Sequence, residues 1–384
     1  MRRVVFRSLL TVAAFVCGSS ISFAQSGAPV IIGVTFDAAK QASYYALLQK
    51  DALEVCAADM NEKGGVLGRP IKLQFEDDEN NPAVGSQKVE KLAADGAIVV
   101  LEVGSSGVGL AAQRKAEELK LPNGSPANVA EGLTHPVKPW YFRTGLRDSV
   151  ATVGLIKYLK RKYGEPTVAI VRDATETGLA VSDNQAKFIE QAGLKIVAKE
   201  QITPGTVDVT AQALRVKASG AKVVLVIGAS TADLANYIKM HKTVGNPAPM
   251  IGNNLFAVTT FPKLAGPAGE GFLVVDSVDM SRPDVRKVET LLVSKLGERA
   301  KESSQMIQAC EFLRLWGDAI TRAGSTDRAK VRDAMEATKD WPTLLGRAGA
   351  KISFAPDNHD AIDSADSVVL RVIKGGQFSG SVQD

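Results

Sequence analysis

From about residue 30 onward two hydrophobic rhythms alternate along the chain. Short β-branched runs predict strands over 30–35, 71–76, 97–103, 167–172, 194–199, 222–227, 271–275 and 367–373. Between most of them, apolar positions three and four residues apart predict helices over 44–61, 148–162, 178–191, 208–218 and 232–243. Three helical patterns follow in a row over 283–296, 304–323 and 328–338, and Gly375-Gly376 turns a terminal hairpin. This β-α-β order, given twice, predicts two parallel sheets covered by helices. No low-complexity linker separates the halves.

The stretch AIVVLEVGSSGVGLAA, residues 97–112, reads as a buried strand, a tight turn and the first turns of a helix. Gly104 and Gly107 permit the turn, and Ser105 and Ser106 stand where a helix takes its N-cap. Free backbone N–H groups and two hydroxyls at a helix N-terminus suit a carboxylate or phosphate. The glycines run G-x-x-G-x-G, not the G-x-G-x-x-G of a dinucleotide site, which leaves an ordinary capped turn or a small-carboxylate seat that the rest of the chain must support.

At 384 residues the chain can form about two domains. Its first residues differ from the rest. Arg2, Arg3 and Arg7 precede an apolar run, and Ser22-Phe23-Ala24 precedes Gln25, the pattern of a secretory signal over 1–24. Its apolar run is shorter than the roughly 20 residues a membrane span needs. Loss of the three arginines lowers the formal net charge from +4 to about +1. That balance, without any polybasic block, argues against nucleic acid. Cys56 and Cys310 fall on apolar helix faces and read as core residues, with a disulfide left open for an exported chain. His135, His241 and His359 show no metal spacing, and Asp77-Asp78-Glu79 reads as a solvated turn. No catalytic triad, metal set or cofactor loop emerges, so the chain is read as a binding protein without cofactor and not as an enzyme.

The element order, GGVLGRP at 64–70, the DD..NP element at 77–82, Ser105-Ser106, YFRT at 141–144 and AGSTDR at 323–328 resemble the type I periplasmic solute-binding proteins of ABC importers, in the branch of the leucine/isoleucine/valine-binding proteins. The resemblance covers residues 30–378. It implies two Rossmann-like α/β lobes with parallel sheets joined by a three-segment hinge. Lobe 1 would comprise 28–145 plus 279–355, and lobe 2 would comprise 146–278 plus 356–384. YFRT then reads as part of a crossing segment.

Ligands of open α/β sheets gather outside the carboxyl ends of the strands. The resemblance implies that Ser105, Ser106 and the backbone around Asn128 and Val129 hold a ligand carboxylate. Ser43, Tyr44 and Tyr45 stand beside the first strand end, where one tyrosine would stack on the ligand. Where the family places an ammonium-binding acid this chain has Asn254, and at two tyrosine positions it has Thr177 and Ser230. With no acid over 252–256 and only Asp173 nearby, the sequence predicts a carboxylate ligand lacking an α-ammonium, an aromatic acid foremost. An amino-acid-binding protein or a receptor subunit of the same fold is the alternative. Implied partners are the ligand and the permease subunits of an ABC importer, with the protein a monomer in the periplasm.

Overall fold

The structure, a computed structural model, describes residues 27–38 and 44–382. The expected secretory signal and Ser43 lie outside the described residues. In the first lobe, β1 (Val30–Phe36), α1 (Tyr44–Glu62), β2 (Ile71–Asp77), α2 (Pro82–Ala94), β3 (Val99–Glu102), α3 (Ser106–Glu118), β4 (Asn123–Ser125) and β5 (Tyr141–Arg143) alternate. Their strands form one parallel sheet in the order β2-β1-β3-β4-β5.

The second lobe follows with α4 (Asp148–Tyr163), β6 (Val168–Asp173), α5 (Glu176–Gln191), β7 (Ile196–Ile202), α6 (Thr210–Ala218), β8 (Val223–Ile227), α7 (Thr231–Thr243), β9 (Met250–Gly252), α8 (Phe261–Ala265) and β10 (Leu273–Asp276). The chain then returns to the first lobe as α9 (Pro283–Leu296), α10 (Ser304–Ala323) and α11 (Arg328–Glu336), with α9 and α10 packed on α1. A small ribbon of β11 (Trp341–Pro342) and β12 (Lys351–Ile352) precedes the last crossing. The hairpin of β13 (Val369–Lys374) and β14 (Gln377–Ser381) completes the second sheet, β14-β13-β10-β9-β8-β6-β7, by antiparallel pairing with β10.

Three segments link the sheets, and they bond to one another or to the lobes. Arg143 donates its backbone N–H to the His359 carbonyl at 3.0 Å, and Ala361 returns one to Arg143 at 2.8 Å. The Arg143 side chain is wholly buried. It meets Asp360 at 2.9 Å through Nε and the Ala130 carbonyl at 2.7 Å through Nη1. Asp360 thus meets a guanidinium that is itself satisfied by hydrogen bonds, the condition under which a buried ion pair is tolerated. Arg371 on β13 makes a similar tie, reaching Glu302 before α10 and Asp276 on β10.

Three sequence expectations change. Residues 141–143 are a strand of the first sheet, and the crossing begins after them; three residues are too few to show an alternation, and Tyr141 and Phe142 are fully buried. Asp78 is buried, not solvated, because it accepts the Asn80 backbone N–H at 2.9 Å inside the turn. Cys56 and Cys310 do pack in the core, but as a disulfide joining α1 to α10, with Cα atoms 5.6 Å apart. Burial alone does not separate two thiols from one bridge.

Candidate functional site

The carboxyl ends of the parallel strands of both sheets face a cleft between the lobes. One wall is the turn between β3 and α3. Gly104 has φ +145°, a conformation that favours glycine, and it swings the chain into the cap. Ser105 is the N-cap, its Oγ accepting the Val108 N–H at 3.3 Å. Ser106 Oγ accepts the N–H groups of Val129 at 3.2 Å and Ala130 at 3.3 Å, which fastens the loop after β4 to the serine turn. Both hydroxyls remain able to donate, and the first N–H groups of α3 have no partner within the helix.

Of the residues singled out from sequence, Tyr45, Ser105, Ser106, Asn128, Val129, Thr177 and Asn254 line this cleft. Tyr44 opens α1, and Ser43 lies outside the described residues. Ser230 does not line it: its hydroxyl donates to Asp233, and its backbone N–H donates to Asp173 at 2.6 Å. Asp173, the acid that sequence reasoning held in reserve for an ammonium, is fully buried and also accepts from the backbone N–H of Thr175 at 3.1 Å. A Cβ at Gly178 or Gly228 would fall 2.0 or 2.1 Å from its oxygens, so the carboxylate is encased at the end of β6. It staples the loops after β6 and β8, and does not line the cleft.

Two other carboxylates do line the cleft, Asp37 after β1 and Asp148 at the start of α4. The sequence reading had marked the first strand end for inspection but passed over both acids. Asp148 follows the first crossing directly, and only the hinge turns it toward the ligand space. It is buried, and loss of water around it pushes its carboxyl up to about 6, although the side chains of Asn184 and Gln185 stabilise the charged form. Asn184 donates to its Oδ2 at 2.5 Å.

Beneath the serine turn lies a second set of acids. Burial raises Asp78 to about 6, with Asp37 and Asp77 adding like charge. Burial raises Glu102, at the end of β3, well above the carboxylate range. A Cβ at Gly109 would stand 2.6 Å from Asn128 Nδ2 and 3.2 Å from Glu102 Oε2, so only glycine leaves room for these side chains over α3. Among the described residues no group of His, Cys, Asp and Glu is arranged to hold a metal ion, and no helix is long and apolar enough to cross a membrane.

Asn254, Leu255 and Asn253 close the cleft from the second lobe. Tyr45 Oη reaches across to donate to the Leu255 carbonyl at 2.9 Å. Leu146, Ala151, Val181 and Val275 add apolar surface to that wall, beside Asp148, Thr177 and Gln185. A few convergent polar groups in an apolar cleft between two lobes suit a small polar solute.

A family model described as periplasmic binding protein matches residues 29–377. The chain is 26% identical over 332 residues to the Leu/Ile/Val-binding protein BraC3 of Rhizobium johnstonii, covering 86% of this chain and 89% of that one. It is 26% identical over 349 residues to Leu/Ile/Val-binding protein homolog 1 of Brucella melitensis biotype 1, covering 90% and 91%. Among solved structures it superposes on the branched-chain amino acid transporter substrate binding protein LivJ of Streptococcus pneumoniae, in complex with isoleucine, with a TM-score of 0.79 and 18% identity over 92% of this chain and 99% of that one. A match over nearly the whole length, on a fold whose sheets face one cleft, has one meaning: the chain belongs to the periplasmic binding protein family, in its two-lobed type I form.

Proposed function

We propose that this protein captures a small amino acid between its lobes outside the cytoplasm and hands it to the permease of an ABC importer. The observation that carries the reading is the serine turn. Two hydroxyls and the N-terminus of α3 line an interlobe cleft that also holds two carboxylates, Asp37 and Asp148, among apolar side chains and amides. The names of the relatives, Leu/Ile/Val-binding proteins, agree with it. Residues 1–24, read as a secretory signal, fit the same location.

The sequence argument for a ligand without an amine rested on the cleft lacking an acid. Asp37 and Asp148 line it, so that premise fails and the aromatic-acid reading loses its support. Thermal-shift and calorimetric titration with the L-amino acids and with amine-free carboxylates tests the proposal. An amino acid binding more tightly than any amine-free acid is the expected result. Tight binding of amine-free acids alone would refute it.

A further inference from the structure

We propose that Asp148 is the carboxylate that receives the ammonium group of the bound solute, replacing an acid on the loop over 252–256. The inference rests on the amino-acid reading above and adds the residue that discriminates for the amine.

Four observations carry it. The 252–256 loop offers Asn253 and Asn254 to the cleft and no acid. Asp173 is consumed by Thr175 and Ser230. Asp148 is placed beside the serine turn by a two-bond chain: Val129 donates its N–H to Ser106 Oγ at 3.2 Å and accepts the Asp148 N–H on its carbonyl at 3.2 Å. This chain of bonds fixes the backbone of Asp148 next to the serine turn, and both line the same cleft. Finally, among the described residues no cation is paired with Asp148. Asn184 and Gln185 on α5 are neutral, Glu131 opposes it with like charge, and neighbouring Arg147 turns to Glu131 at 3.5 Å and Asp360 at 3.4 Å.

A buried carboxylate served only by amides is poorly compensated, and an arriving ammonium supplies the missing charge. Asp37, the other acid in the cleft, stands beside Asp78 and adds like charge to it. Asp148 shares the cleft with Leu146, Ala151 and Val181, apolar side chains that strengthen an ion pair formed beside them.

The test is calorimetric titration of the full chain with each L-amino acid, then with the amine-free analogue of the tightest binder. Wild type, Asp148→Asn and Asp37→Asn are compared. The expected result is a loss of at least thirtyfold in amino-acid affinity for Asp148→Asn, with the amine-free analogue changed less than threefold. Selectivity for the amine should persist in Asp37→Asn. Should Asp148→Asn fail to fold, the wild type still decides. Its amino-acid affinity should fall at least fivefold from pH 7.5 to pH 5.0 as Asp148 takes a proton, while the analogue's does not. Equal losses for both ligands, an unchanged amino-acid affinity, or a selective loss in Asp37→Asn overturns the assignment. Binding of amine-free acids and no amino acid ends both this inference and the amino-acid reading. Amino-acid binding that is indifferent to Asp148 ends this inference alone.

Discussion

Tyr45 on the first lobe donates its phenolic hydrogen to the backbone carbonyl of Leu255 on the second, 2.9 Å away across the cleft. This contact joins the two walls at the ligand space itself, away from the hinge. A half-buried hydrogen bond of this kind contributes about 0.5–1.5 kcal/mol. Tyr45→Phe keeps the ring and removes only the hydroxyl. The expected outcome is a ligand affinity about three- to tenfold weaker, with a larger radius of gyration for the free protein in solution scattering. An unchanged scattering profile and affinity would show that the lobes meet without it.

Ser105 and Ser106 are adjacent yet do different work. Ser105 caps α3, and its replacement by alanine should cost about 1 kcal/mol in urea denaturation. Ser106→Ala removes the acceptor of two backbone N–H groups, those of Val129 and Ala130, and should cost about 1–3 kcal/mol. It should also weaken ligand binding more than Ser105→Ala does, because the loop after β4 loses its anchor. The order of the two variants in both measurements is the check.

The Cys56–Cys310 bridge closes a separation of 254 residues between two packed helices. Reduction, or Cys56→Ser with Cys310→Ser, should lower stability by about 2–4 kcal/mol. Calorimetry with and without reductant measures it. The double-serine variant should no longer respond to reductant. The fold should persist, since α1 and α10 still share a core around Leu53, Ala309 and Leu313.

Raised carboxyl groups give the stability a defined pH slope. Asp78 moves from 3.8 to about 6 on folding, so between those values the folded chain holds a proton that the unfolded chain has released. Stability therefore falls as pH rises through about 4–6, and by pH 7 this one acid costs up to about 3 kcal/mol. Asp148 adds a slope of the same sign. Asp78→Asn keeps an acceptor for Asn80 and should flatten part of the fall. Denaturation midpoints at pH 4, 5, 6 and 7 for wild type and variant test this; parallel curves would count against it.

Much of this was legible before any coordinates. Short β-branched runs alternating with helical periodicity announce two covered sheets. Ser105-Ser106 announced a helix start because caps obey local rules. What escaped depended on distant partners. Asp148 looks like any acid in a first helical turn, until the hinge turns it toward Val181 and Gln185. Asp173 looked available until Ser230, 57 residues on, filled it. Cys56 and Cys310 each sit on an ordinary apolar face, and only the packing of α1 on α10 makes them neighbours. Residues 141–143 were too short for alternation to reveal a strand.

Among the described residues the antiparallel pair β13–β14 is the last regular structure, yet β13 lies directly against β10, which comes much earlier in the sequence. Until those final residues are available, β10 presents a bare row of N–H and C=O groups along Leu273–Asp276, an invitation to pair with the wrong strand. A chain cut before residue 369 would leave that edge of the second sheet uncovered and open to aggregation.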